Sequence, residues 1–177
     1  MKALPVVAWA IAAPLLAQVP FWDTFQATAG LRAVDRAAQV RAESGFNPKA
    51  QSFILKNGVK VPCAQGLAQF TPPTWSGWGM GGDPWNPVDA IRSQHAYMLY
   101  LEGRCGGDWI AALGSYNAGL GSIRKAQRLA GSMGLEGTRA WLRALPGVTH
   151  EHAAETIGYI KRIESQHVPW VKRQVGQ

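Results

Sequence analysis

Glu43 stands apart from the other carboxylates of the chain, eleven in all. Asp35, Asp83, Asp89 and Asp108 fall at helix starts or in turns, and Glu102 and Glu164 have basic residues close by in sequence. Glu43 instead ends an apolar-faced helical stretch and is followed at once by Ser44-Gly45-Phe46-Asn47-Pro48. A carboxyl held against apolar surface has a raised pKa, because desolvation disfavours its charged form. A proton retained near neutral pH is what a general acid needs. A Glu near a helix end is most often structural, so the neighbouring motifs must decide.

Three further segments follow in order: Gly66-Leu67-Ala68-Gln69-Phe70, Tyr116-Asn117-Ala118-Gly119, and Glu155-Thr156 with Tyr159. With the Glu43 segment they resemble the soluble lytic transglycosylases of the lysozyme superfamily, over roughly residues 22 to 170. The Ala68-Gln69-Phe70 form and the tail from Thr149 to Tyr159 look closest to phage-type members. The resemblance implies a peptidoglycan glycan strand as substrate, no cofactor and no metal. It makes Glu43 the single catalytic acid/base. It places Ser44, Gln69, Phe70, Tyr116 and Asn117 along the substrate cleft and brings the Tyr159 phenol towards the catalytic carboxyl. Glu155 and Tyr159 lie four apart on one helix, so both can face the site; Glu155 reads as a structural partner rather than a second acid.

Hydrolytic glycosidases usually flank the scissile bond with two carboxylates. No second Asp or Glu here lies in a matched motif. In the family reaction the acid protonates the leaving oxygen between N-acetylmuramic acid and N-acetylglucosamine. The resulting carboxylate takes the proton of the muramyl 6-hydroxyl, which closes on C1 and gives a 1,6-anhydro product without water. The sequence departs from the family pattern at Ala68, where many relatives carry Met, and in a longer interval between Glu43 and Gly66.

Three readings compete with this one: a virion-associated or structural lysozyme-like protein with little activity, a hydrolytic muramidase, and a nucleic-acid binder. The last draws on the formal charge of +7, which favours an anionic partner without choosing one. No basic run reaches five residues, and no nucleic-acid motif is present. Trp75, Trp78 and Trp85 could stack on sugar faces or fill the core. His150-Glu151-His152 is a poor metal pair, because residues two apart face different sides of a helix. Cys63 and Cys105 have no zinc spacing and would be linked if the chain is exported.

The elements that must position these groups read as a mainly α, lysozyme-like (α+β) domain of short helices with one small β-hairpin. Hydrophobic residues are 47% of the 177 residues, enough for one buried core. One helix is expected from Leu31 to Glu43, with Leu31, Val34, Ala37, Ala38 and Val40 on its apolar face. A second is capped by Asn86-Pro87 and ends at Gly103, and a third runs from Asp108 to Gly119. The last long helix is expected from Thr149 to Pro169. Asn57-Gly58 between two apolar-rich runs predicts a hairpin, and Gly77 to Gly82 a loop. Residues 1–20 read as a signal-like or membrane-anchor segment, with cleavage plausible after Ala17, ahead of a transglycosylase domain over 21–177. That segment places the chain in the periplasm or cell envelope, or on a phage virion, and could contact membrane or virion proteins.

Overall fold

The computed structural model describes residues 19–132 and 139–177. Residues 1–18, which carry the signal-like or anchor segment, lie outside the described residues. No helix among the described residues is long and apolar enough to cross a membrane.

Helix α1 (Trp22–Ala29) seats Phe25 in the core and ends at Gly30, whose φ is 51°. A 3-10 turn over Gly30–Arg32 separates it from α2 (Ala33–Ser44). The helix expected from Leu31 therefore starts later, and the 3-10 turn throws Leu31 fully into solvent. α2 is buried at Ala33, Val34, Arg36, Ala37, Ala38, Gln39 and Val40. Its stop is glycine: Gly45 takes φ 61° and its N–H bonds the Arg41 carbonyl.

Strands β1 (Gln51–Lys56) and β2 (Val59–Gln65) form an antiparallel ribbon, turned by Asn57 (φ 52°) and Gly58 (φ 77°). Both turn residues take the positive φ that the Asn-Gly pair tolerates. Helix α3 (Pro72–Trp78) is capped by Thr71. It takes up Gly77, so the loop expected from Gly77 is confined to the stretch from Gly79 to Asn86. The Asn86 side chain caps α4 (Pro87–Arg104), and Asp108 caps α5 (Trp109–Ala118).

Helix α5 is the centre of the fold. Ala111, Ala112, Leu113, Gly114 and Ser115 are all buried. α4, α6 (Leu120–Leu129) and α9 (Ala153–Arg162) pack around it. A Cβ on Gly114 would sit 2.9 Å from Trp141 and 3.0 Å from Ile123, so small residues let these helices close.

The C-terminal third differs from expectation. Thr149 does not cap a long helix; it closes the short α8 (Pro146–Thr149), after α7 (Ala140–Ala144). Its hydroxyl bonds back to the Leu145 carbonyl. α9 starts at Ala153 and passes through a π turn (Ile163–His167) into α10 (Val168–Gln174). Pro169 falls in the first turn of α10, where its missing N–H leaves no gap, so the chain runs on beyond it.

Glu102 and Glu164 find their partners far along the chain. The fully buried Arg36 donates to Glu102 at 2.7 Å and lies 5.1 Å from the Trp109 ring. Arg139 pairs with Glu164 at 2.6 and 2.9 Å. Cys63 and Cys105 are both free thiols, so the link expected for an exported chain is not formed here. Cys105 is buried at the C-cap of α4, with Sγ 3.5 Å from the Ser115 hydroxyl, while Cys63 rides on β2.

Two glycines with left-handed backbone differ in surroundings. A Cβ at Gly66 (φ 70°) would lie 1.9 Å from the Pro84 carbonyl oxygen, whereas one at Gly45 (φ 61°) would meet nothing. Gly45→Ala should cost only the backbone term, about 1 kcal/mol. Gly66→Ala must also move the Pro84 backbone and should cost more than ~2 kcal/mol. Urea midpoints of the two variants compare them; equal losses would show that the Gly66–Pro84 approach carries no weight.

Candidate active site

Glu43 lies in the last turn of α2, where the helix carbonyls present partial negative charge. The residue is partly open to solvent, yet its carboxyl is deeply desolvated, and its pKa is pushed up to about 7. Burial is the largest cause. A hydrogen bond from Tyr159 opposes it, and the nearby charge of Glu155 adds to it.

Tyr159, buried on α9, donates its hydroxyl to Glu43 Oε1 at 2.5 Å. The two side chains face one another as the sequence led us to expect. Burial and the neighbouring carboxyl hold the Tyr159 phenol well above its ordinary pKa, so it stays a neutral donor. Tyr116 is held neutral for the same reasons. Its hydroxyl donates to the Ala68 carbonyl at 2.7 Å, which ties α5 to the Gly66–Phe70 segment.

Gln69 has a left-handed backbone, φ 52°. Its amide nitrogen donates to the carbonyls of Ala50 (3.1 Å) and Gly66 (2.9 Å), which leaves its oxygen unspent. Asn117 is exposed, and its Oδ1 accepts the Thr156 hydroxyl at 2.7 Å. Its two N–H donors remain for a ligand. The Ser44 hydroxyl bonds back to the Val40 carbonyl at 3.3 Å.

Phe70 departs from the expected set. It is 3% exposed and packs against Trp75, Tyr97 and Tyr116 at 5.7–6.0 Å, so its ring backs the cleft wall instead of touching a ligand. The sequence does not distinguish a ring on the cleft wall from one that supports it. Trp75 and Trp78 are half-buried; Trp78 packs at a tilt against Tyr97 and Tyr100, each at 5.0 Å.

Two residues, Gln39 and its partner Gln94, lie outside every motif of the sequence. Gln39 is fully buried beside the Tyr159 phenol, whose pKa it pulls down against the rise imposed by burial. Its Oε1 accepts from Gln94 of α4 at 2.7 Å. The available signal was its place four residues before Glu43, on the same helix face. Among the described residues two other carboxylates are buried, and both are engaged: Glu102 by Arg36, Asp108 by the start of α5. Glu43 is the buried acid left to exchange a proton with a ligand.

Two titrations follow. The folded pKa of Glu43 lies above the 4.5 of a freely solvated glutamate. Its protonated form therefore stabilises the fold below pH 4.5, and that contribution is lost as pH rises through about 7. Glu43→Gln should match the native chain below pH 4.5 and exceed it by up to ~3 kcal/mol above pH 7. A difference independent of pH, from urea melts at both ends, would reject the buried acid. Tyr159→Phe removes a donor that favours the carboxylate, so the Glu43 pKa should rise further. Carboxyl 13C NMR titration reads it directly, and an unchanged or lower value contradicts the role of the bond.

The sequence profile of the transglycosylase SLT domain matches residues 34–136, more than half of the chain. No curated protein matches the chain in sequence. Solved structures of similar fold include the 70 kDa soluble lytic transglycosylase Slt70 from Escherichia coli. It has a TM-score of 0.65 and 25% identity, over 88% of this chain and 24% of that one. A 70 kDa soluble lytic transglycosylase in complex with bulgecin A gives 0.68 and 24%, over 90% and 25%. An inactive mutant of the lytic transglycosylase Slt from Pseudomonas aeruginosa gives 0.62 and 23%, over 89% and 25%. This chain spans about a quarter of the length of those enzymes. Helices around a single two-stranded hairpin are thus the lysozyme-like fold that the sequence implied. With the profile spanning Glu43, Gln69 and Tyr116 and the fold shared, the chain belongs to the transglycosylase SLT domain family.

Proposed function

We propose that the chain is a lytic transglycosylase cleaving the β-1,4 bond between N-acetylmuramic acid and N-acetylglucosamine of peptidoglycan, with Glu43 as the only catalytic acid/base. The observation that carries this reading is the Glu43 carboxyl itself: protonated to about pH 7, open on one side, and bonded to a neutral phenol. An acid with that pKa gives its proton to a glycosidic oxygen and takes one from a hydroxyl at the same pH. The bond to Tyr159 steadies the carboxylate formed between the two steps. Gln69 and Asn117 offer an unspent oxygen and unspent N–H groups to the sugar amides and hydroxyls. Ser44 and Tyr116 complete the set of expected contacts.

Closure by the muramyl 6-hydroxyl is favoured over attack by water because, among the described residues, Glu43 is paired with a neutral phenol and not with a second buried carboxylate. Glu155 is exposed and its nearest partner is His152, at 3.8 Å. The product is then a 1,6-anhydromuramyl end. The reading makes residues 21–177 the catalytic domain and residues 1–20 a leader or anchor, and puts the chain to work in the periplasm or cell envelope. A chain carried on a phage virion would meet the same polymer, and the phage-type form of Ala68-Gln69-Phe70 supports that context.

Digestion of purified sacculi, followed by mass spectrometry of the released muropeptides, tests both halves. Anhydro products, lighter by one water than reducing ends, are expected; reducing ends alone would make the chain a muramidase. Glu43→Gln should lower the release rate by a factor of ~10² to 10⁴, the usual worth of a general acid. A variant that releases products at the native rate would remove Glu43 from the mechanism. A native chain that releases nothing would favour an inactive, structural role.

A further inference from the structure

The hairpin carries more apolar surface than the fold uses. Leu55 is 75% exposed, Val59 63%, Phe53 44% and Ile54 43%. The register shows how these residues are arranged. Phe53 stands opposite Pro62 and Leu55 opposite Lys60, which places them on one face. Ile54 stands opposite Val61 and Lys56 opposite Val59, on the other. Each face therefore combines apolar groups with a single lysine near the turn. The ribbon is anchored at its base, where Ala64 is buried, its N–H bonds the Ser52 hydroxyl at 2.9 Å and Gly66 bonds Ala50. A sheet face normally buries its apolar residues against a second layer, and exposed apolar ribbons otherwise invite association.

Charge narrows the choice of partner. No Asp or Glu occurs between Glu43 and Asp83, while Lys49, Lys56 and Lys60 do. Lys60 Nζ lies 4.4 Å from the Phe53 ring centroid, a cation–π contact that keeps a positive charge beside the exposed apolar groups of the ribbon. Apolar side chains interleaved with lysines suit a surface that is greasy below and anionic above. A glycan strand offers polar hydroxyls along both edges and no such gradient. A second copy of this ribbon would bring like charges together.

We infer that the tip of the hairpin, residues 53–61, is a docking element for an anionic lipid bilayer. Phe53, Ile54, Leu55 and Val59 enter the interfacial layer, while Lys56 and Lys60 reach lipid phosphates. The open edges of a two-stranded ribbon leave backbone groups unpaired, which hydrocarbon does not tolerate. The tip therefore rests at headgroup depth. This inference does not depend on the proposed reaction, since it concerns the ribbon and not Glu43.

The test uses the full chain, vesicles of phosphatidylglycerol with phosphatidylcholine, and vesicles of phosphatidylcholine alone. Amide hydrogen exchange over residues 53–61 and co-sedimentation are measured together. Protection of 53–61 by the anionic vesicles alone is expected. Ile54→Ser/Leu55→Ser, at exposed positions, should abolish that protection while leaving the melting temperature and the activity on sacculi unchanged. Lys56→Gln/Lys60→Gln should weaken partitioning by about fivefold per lysine. Sedimentation without protection of 53–61 would place lipid binding elsewhere in the chain and overturn the proposal. Protection by sacculi instead of vesicles would make the tip part of the glycan cleft, and protection that rises with protein concentration alone would make it a self-association surface. Either result overturns it as well.

Discussion

The hydrogen bond between Tyr159 and Glu43 joins residues 116 apart in sequence, and the site is organised around it. The carboxyl must satisfy two opposed demands. It must be dry enough to keep its proton near neutral pH, and open enough to reach a ligand. Its place in the last turn of α2 buries it, which pushes the pKa up, and the nearby charge of Glu155 adds to the push. Unopposed, that push would make the carboxylate too costly to form. A lysine or arginine would correct it too far, by fixing a full charge beside the acid. A buried phenol supplies a moderate correction, because it donates without being charged. Its own support is one turn earlier on α9, where Thr156 bonds Asn117 at the end of α5.

This arrangement sets the character of α2. Arg36, Gln39 and Glu43 recur at intervals of three and four and form one polar stripe. The first two are fully buried. α4 answers Arg36 with Glu102 and Gln39 with Gln94, and α9 answers Glu43 with Tyr159. Three helices are thus held in register by directional contacts that an apolar seam would not impose. The network is not saturated: Arg36 Nη1 and Gln94 Oε1 have no hydrogen-bond partner. Removing a single member would leave a buried charge or amide unpaired, which is far more damaging than replacing the set.

Local chemistry was legible in the sequence; long-range partnership was not. Asn57-Gly58, Asn86-Pro87 and Asp108 each act within a few residues, so their turn and caps could be read directly. Thr149 has the same chemistry and fails as a cap, because the chain first closes a separate short helix there. Leu31 fits the apolar period of α2, but a glycine just before it breaks the helix and turns it outward. The apolar stripe also hid the polar one beside it. Arg36 is fully buried against a partner 66 residues away, which no local pattern announces. The position of Phe70 beneath Tyr116 is likewise a property of packing, which one motif cannot contain.

The long interval between Glu43 and Gly66 raised a question about one wall of the cleft, and the backbone answers it. Gln69 holds a left-handed conformation that a non-glycine residue adopts only when its surroundings impose it. Two carbonyls impose it: Ala50, at the start of the ribbon, and Gly66, at its end. The Gly66 N–H in turn bonds Ala50, and the Gln65 N–H bonds Phe70. The ribbon's two ends are thus pinned together and to Gln69 before the chain reaches α3. Pro84 then closes on Gly66 from the other side, so near that no side chain fits between them. Length added beyond Ala50 therefore extends past a base that stays pinned. That separation is what lets the tip of the ribbon carry exposed apolar groups while its base holds Gln69 in place.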